Sequence, residues 1–202
     1  MKTTDRSIVM KTTEHLDLIN ETINKTKEQI RPLSVNFIFW GIFIIVMSFI
    51  HYSFPSIIQM KPYSSLLFWT FLPLIGMIIT VYYNKKIRDS RGYQTHLSRV
   101  IKIIWMVFNI SWLIIVVNSL IIKQNPVLDI LFLLGMTTLI TGLIIRYKPV
   151  SFGGISVMIL YLLVSINPDF HFLIINILGM LFGLVIPGIF LFFEKKEESI
   201  FG

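Results

Sequence analysis

The chain contains no cysteine. Disulfides, a thiolate nucleophile and Cys-ligated metals are therefore excluded. Charge is nearly as scarce: Asp, Glu, Lys and Arg make up 14% of the 202 residues, against about 25% in an ordinary soluble domain. No Gly-rich phosphate loop ending in Lys, no HExxH and no GxSxG occurs, so phosphate-cradling, zincin and α/β-hydrolase chemistries have no motif. The long apolar runs hold no acidic residue at their centres to couple protons or sodium, and no buried pair fit for an intramembrane protease. The chain is therefore expected not to be an enzyme, and to bind no cofactor and no metal.

Apolar residues are what it has in excess. They make up 54% of the chain, with a mean hydropathy of +0.75, more than one globular core can hide. A spanning helix needs ~20 mostly apolar residues, and six runs qualify: 33–53, 64–83, 101–122, 127–145, 150–166 and 171–193. Within them the only charges are Lys102 and Asp129, near the ends. The expected fold is an all-α polytopic membrane protein of six transmembrane helices. The short connections KQNP and NPDF make sequential spans antiparallel neighbours, giving three hairpins. Pro126, Pro149 and Pro168 sit at boundaries, where Pro starts a helix at no cost. Pro73 and Pro187 fall inside spans and predict kinks.

Basic residues divide unequally about these runs. Lys2, Arg6, Lys11, Lys25, Lys27 and Arg31 precede the first span; Lys85, Lys86, Arg88, Arg91, Arg99 and Lys102 lie between the second and third. Arg146 and Lys148 separate the fourth and fifth, and Lys195 and Lys196 follow the sixth. Of 18 Lys and Arg, only Lys61 and Lys123 fall on the other side, where Asp129 and Asp169 neutralise them. The whole +7 then lies on one face, and the positive-inside rule places both termini in the cytoplasm. Tyr52, Tyr63 and Trp69 mark the outer interface; Tyr82, Tyr83, Trp105 and Tyr147 mark the inner one. The first thirty residues lack an apolar signal-peptide core, so the first span is expected to direct its own insertion.

Residues 1–32 predict a cytoplasmic amphipathic helix, 33–193 the membrane domain and 194–202 a cytoplasmic tail. In the first segment Val9, Leu16, Ile23 and Ile30 recur every seven residues, with Ile19 beside them, which is one apolar stripe on a helix. Leu16, Ile19, Ile23 and Ile30 are candidates to bind a cytosolic protein partner or the lipid surface. The basic segment NKKIRDSRGYQTHLSRVIK, with Lys85, Lys86, Arg88 and Arg91, is the second candidate contact. The positive-inside rule already accounts for its charge, so anionic lipid head groups are the expected partner and direct nucleic-acid binding is not.

Inside the membrane, Gly179 and Gly183 form a GxxxG, and Thr138 with Gly142 a small-xxx-small. Such spacing lets helix backbones approach closely, against a neighbouring span or in a homo-oligomer. Gly-Met recurs at Gly76, Gly135 and Gly179. Asn109, Asn118 and Asn176 are polar groups within the spans and suit interhelical hydrogen bonds. His51, Asp129, Asp169 and His171 fall near outer ends in four different segments, and no spacing joins them.

NETINKTKEQIRP, then FIFWG and HY, LPLIGM, RYKPVSFGG and NILGMLFGLVIPG with a charged tail resemble an uncharacterised group of small bacterial six-span proteins. The resemblance implies a bacterial inner membrane and nothing catalytic. The expected function is that of a non-enzymatic accessory or regulatory protein working through its basic cytoplasmic face. Small multi-span proteins accompany some RNA-targeting CRISPR effectors and modulate them, and size, topology and charge match that context. The alternative is a small-solute channel or exporter formed by oligomerisation, with Asn109 and Asn118 lining a path. Alkaline phosphatase fused after Gly202 should be inactive and a cytoplasmic fluorescent reporter bright; the reverse pattern inverts the topology.

Overall fold

A computed structural model describes residues 32–58, 64–91, 96–167 and 169–201, without the side chains of 57, 66, 88–91 and 194–201. The described residues are all-helical, with no strand. The elements run α1 (Pro32–Ser53), α2 (Pro55–Ile58), α3 (Ser64–Arg91), α4 (His96–Ile122), α5 (Val127–Ile144), α6 (Lys148–Ile166), α7 (Phe172–Met180), a π-helical turn (Leu181–Val185) and α8 (Ile186–Phe201). Six helical stretches are long and apolar enough to cross a membrane, the last being α7, the π turn and the start of α8 taken together. The predicted amphipathic helix of residues 1–32 lies, apart from Pro32, outside the described residues.

Helix ends follow local chemistry. Pro126 precedes α5 as its N-cap, and Pro149 sits in the first turn of α6. α4 and α5 both end with a basic residue in the left-handed conformation, Lys123 and Arg146, each at φ 55°. At the second, Tyr147 N–H donates to the Gly142 carbonyl (2.9 Å) and Arg146 N–H to that of Leu143 (3.2 Å), the double closure of a Schellman turn usually built on Gly. The basic segment between spans two and three is largely helical where described: α3 continues to Arg91 and α4 begins at His96. Lys and Arg are good helix formers, so these two helices outlast their apolar runs.

Burial orders the bundle. In the span Phe172–Phe193, 56% of the apolar window is buried, against 6% for His96–Ile122. The sixth span is therefore the centre and α4 the rim. The core joins Leu33 and Phe37 of α1, Leu131 and Leu134 of α5, Val150 and Val157 of α6, and Ile175, Met180 and Leu184 of the sixth span. Outward-facing residues are just as apolar: Ile78 and Ile121 are 69% and 74% exposed, a surface that water would not tolerate and a bilayer solvates.

α5 and α6 pack closely along their length, and small residues make the contact. A Cβ on Gly135 would lie 3.1 Å from the Gly154 carbonyl oxygen; one on Gly154 would lie 2.8 Å from that of Gly135. Gly142 meets Ser151 further along. The backbones touch, so no side chain fits between them. Gly154→Ala should cost about 1–3 kcal/mol, as overpacking does, and lower the melting temperature in detergent. Leu143→Ala, at an outward position of α5, should leave it unchanged.

Candidate functional site

The chemically distinctive features are polar seams between helices. Along α1 and α3, Asn36 Nδ2 donates to Asn84 Oδ1 (3.2 Å), Trp40 Nε1 to Thr80 Oγ1 (3.1 Å), and Trp69 Nε1 to His51 Nδ1 (2.9 Å). The residue numbers in each pair add to the same value, so one antiparallel register runs the length of both helices. Thr80 passes its own proton to the Gly76 carbonyl (2.9 Å), and a Cβ on Gly76 would lie 3.0 Å from the Trp40 ring. A second seam joins α1 to the central span: Asn176 Nδ2 donates to Ser48 Oγ (3.0 Å), which donates to the Ile44 carbonyl (2.9 Å). Both side chains are buried. With no water in the hydrocarbon, polar groups must find such partners within the protein.

At the outer end, His51 and His171 enter one aromatic cluster. His171 stacks on Phe172 (5.1 Å) and meets the Tyr52 ring edge-on (5.4 Å); His51 lies 6.1 Å from both Phe172 and Trp69. Because His51 Nδ1 accepts from Trp69, its neutral ring carries the proton on Nε2. His171 Nδ1 accepts from Leu173 N–H (3.3 Å) and caps α7. Asp129 and Asp169 are exposed elsewhere. No group of three His, Asp or Glu able to hold a metal converges among the described residues.

The sixth span carries a second kind of site. Ile186 N–H donates to the Leu181 carbonyl, five residues back, and Pro187 has no N–H. The Phe182 carbonyl has thus lost both ordinary helical donors, and it faces Gly153, where a Cβ would lie 2.8 Å away. π turns of this kind are frequent at functional positions.

Of the residues singled out from sequence, Gly179 faces Leu131 of α5 and Gly183 faces Val157 of α6. The GxxxG thus packs against neighbouring helices of the same chain. Gly142, spaced from Thr138, lies on the α5–α6 contact. The glycines of the three Gly-Met pairs each meet a different helix: Gly76 meets α1, Gly135 α6 and Gly179 α5. Asn109 donates to the Trp105 carbonyl one turn back (2.7 Å), within its own helix, and Asn118 is exposed on α4. Thr138 Oγ1 and Trp105 Nε1 are buried without a hydrogen-bond partner. Lys85 and Lys86 are exposed near the end of α3. Arg88 and Arg91 lie in the same helix, with side chains outside the described residues. Leu16, Ile19, Ile23 and Ile30 also lie outside them.

Sequence reading missed Asn36, Trp40, Ser48, Thr80 and Asn84 as partners. A signal was there: Gly76, Thr80 and Asn84 recur at four-residue steps, as do Asn36, Trp40 and Ser48 with Ile44 between, one polar stripe on each helix.

These features define a multi-pass α-helical membrane protein. No protein-family model matches the chain, and no curated protein and no solved structure is similar to it.

A double-mutant cycle checks the central seam. Ser48→Ala and Asn176→Leu should couple by about 0.6 kcal/mol, and by no more than roughly 1.7, as interhelical bonds do in membranes. Strictly additive effects on melting would mean the two side chains do not meet.

Proposed function

We propose that the protein is a non-enzymatic accessory or regulatory protein of a bacterial inner membrane, acting through its basic cytoplasmic face on a cytosolic partner. In this reading its six spans form three antiparallel hairpins, both termini are cytoplasmic, and residues 1–32 form an amphipathic helix on that face. The observation that carries it is the charge division: all but Lys61 and Lys123 of the Lys and Arg lie on one side of the spans. The seams agree with it. Asn36, Trp40, Ser48, His51, Thr80, Asn84 and Asn176 are engaged in helix-to-helix bonds, which suits a packed anchor more than a conduit. Residues 1–31 and the basic segment that α3 and α4 carry beyond the apolar runs are then the parts that meet a partner. A cytosolic effector such as an RNA-targeting CRISPR enzyme fits this geometry, and anionic head groups are the lipid partner of the same face.

The alternative is a small-solute channel or exporter formed by oligomerisation. One observation favours it: α4 is the least buried span and leaves the polar Asn118 exposed.

Leu16→Asp with Ile23→Asp separates the two. The variant should insert normally, because the spans alone drive insertion. It should lose the cellular phenotype that the intact gene confers, including any effect on an RNA-targeting effector. Full activity of an inserted double mutant overturns the regulatory reading, and solute flux in liposomes then tests the channel.

A further inference from the structure

We propose that the basic ends of α3 and α4 form a specific site for one anionic phospholipid, its head group on Lys85, Lys86, Arg99 and Lys102 and an acyl chain between the two helices. The inference rests on the reading of that side as the cytoplasmic face and goes beyond it by naming a place.

α3 and α4 are consecutive in the chain, yet among the described residues they make no substantial contact with each other. α3 is held by α1, through Asn84, Thr80 and Trp69. α4 rests on α5, and on α1 through the Trp105 ring, 5.4 Å from Phe37. Among the described residues the two helices therefore meet mainly through their shared support, α1.

α1 also sets the depth of the charges. Asn36 meets Asn84, and the next residue, Phe37, meets Trp105. Asn84 and Trp105 thus lie at one level on the two helices. Lys85 and Lys86 follow Asn84 directly. Lys102 and Arg99 precede Trp105 by three and six residues, about 4.5 and 9 Å along a helix. All four are exposed, all lie on the polar side of that level, and no acidic residue interrupts 84–87 or 96–102. On the other side of the level both helices expose apolar residues, Ile78 and Ile79 on α3, Met106 and Ile110 on α4. Exposed apolar residues beneath a double rank of cations match an acyl chain beneath a phosphate. A neutral zwitterionic head group gains less from four positive charges.

The test is native mass spectrometry of the full chain in detergent, titrated with phosphatidylglycerol. One tightly retained lipid is expected, with phosphatidylcholine retained at least tenfold more weakly. Lys85→Gln with Lys86→Gln, or Arg99→Gln with Lys102→Gln, should weaken retention roughly 30-fold, the loss expected for two basic residues at an anionic surface. Arg146→Gln with Lys148→Gln removes the same charge from another exposed part of that side and should change it less than about threefold. Soluble glycerol phosphate at the same concentration should not displace the lipid. Equal retention of the two lipids overturns the site. So does glycerol phosphate acting as an equal competitor, which would make the site one for a free anion. An equal loss from the Arg146 and Lys148 pair also overturns it, and leaves the basic face as a diffuse attraction.

Discussion

Within a bilayer, no water satisfies a buried polar group, and apolar helices gain little by leaving lipid for one another. Helices must then be held by backbones that touch and by polar side chains that find each other. The central span meets this constraint from several sides. Val185 and Leu184 fit against Gly41 of α1, where a Cβ would lie 2.5 Å from Val185 Cγ2. Gly179 and Gly183 admit Leu131 and Val157, and Asn176 reaches Ser48. One glycine on α1 and two on the span itself therefore let it thread through the middle of the bundle.

That span also carries a break in its regular helical hydrogen bonding. Its π turn and Pro187 release the Phe182 carbonyl, and Gly153 is the residue that lets the carbonyl lie against α6. Pro187 is itself fully buried. A side chain at 153 would collide with both the carbonyl and the Pro187 ring. The irregularity is thus matched by a glycine on the neighbouring helix, which ties the α6 sequence to that of the last span.

The spans were legible because a run of about twenty apolar residues has few other uses in a protein. Their ends were legible where Pro126 and Pro149 start helices. The extensions of α3 and α4 were missed because hydropathy reports where lipid ends, and α3 continues through Lys85 and Lys86 to Arg91. The GxxxG spacing announced a close contact but not its partner: Leu131 and Val157 come from two different helices. The seams were hidden for a similar reason. Asn36 and Asn84 are 48 residues apart, and Ser48 and Asn176 are 128 apart. The four-residue stripes mark a polar face on each helix but not its partner, since which helices adjoin is settled only by the whole bundle. His51 and His171 share a cluster through Phe172 and Tyr52, again a matter of arrangement.

The described residues form a packed helical bundle whose polar groups bond one helix to the next. In that bundle the last span lies inside a single chain rather than at a seam between copies. The cysteine-free sequence permits a direct test: Ser48→Cys with Asn176→Cys, treated in native membranes with a short thiol-to-thiol cross-linker. The account predicts efficient cross-linking within one chain, seen as a compact monomer that reverts on reduction of the linker. Cross-linked dimers, or two cysteines that remain unlinked while accessible to reagent, would contradict it.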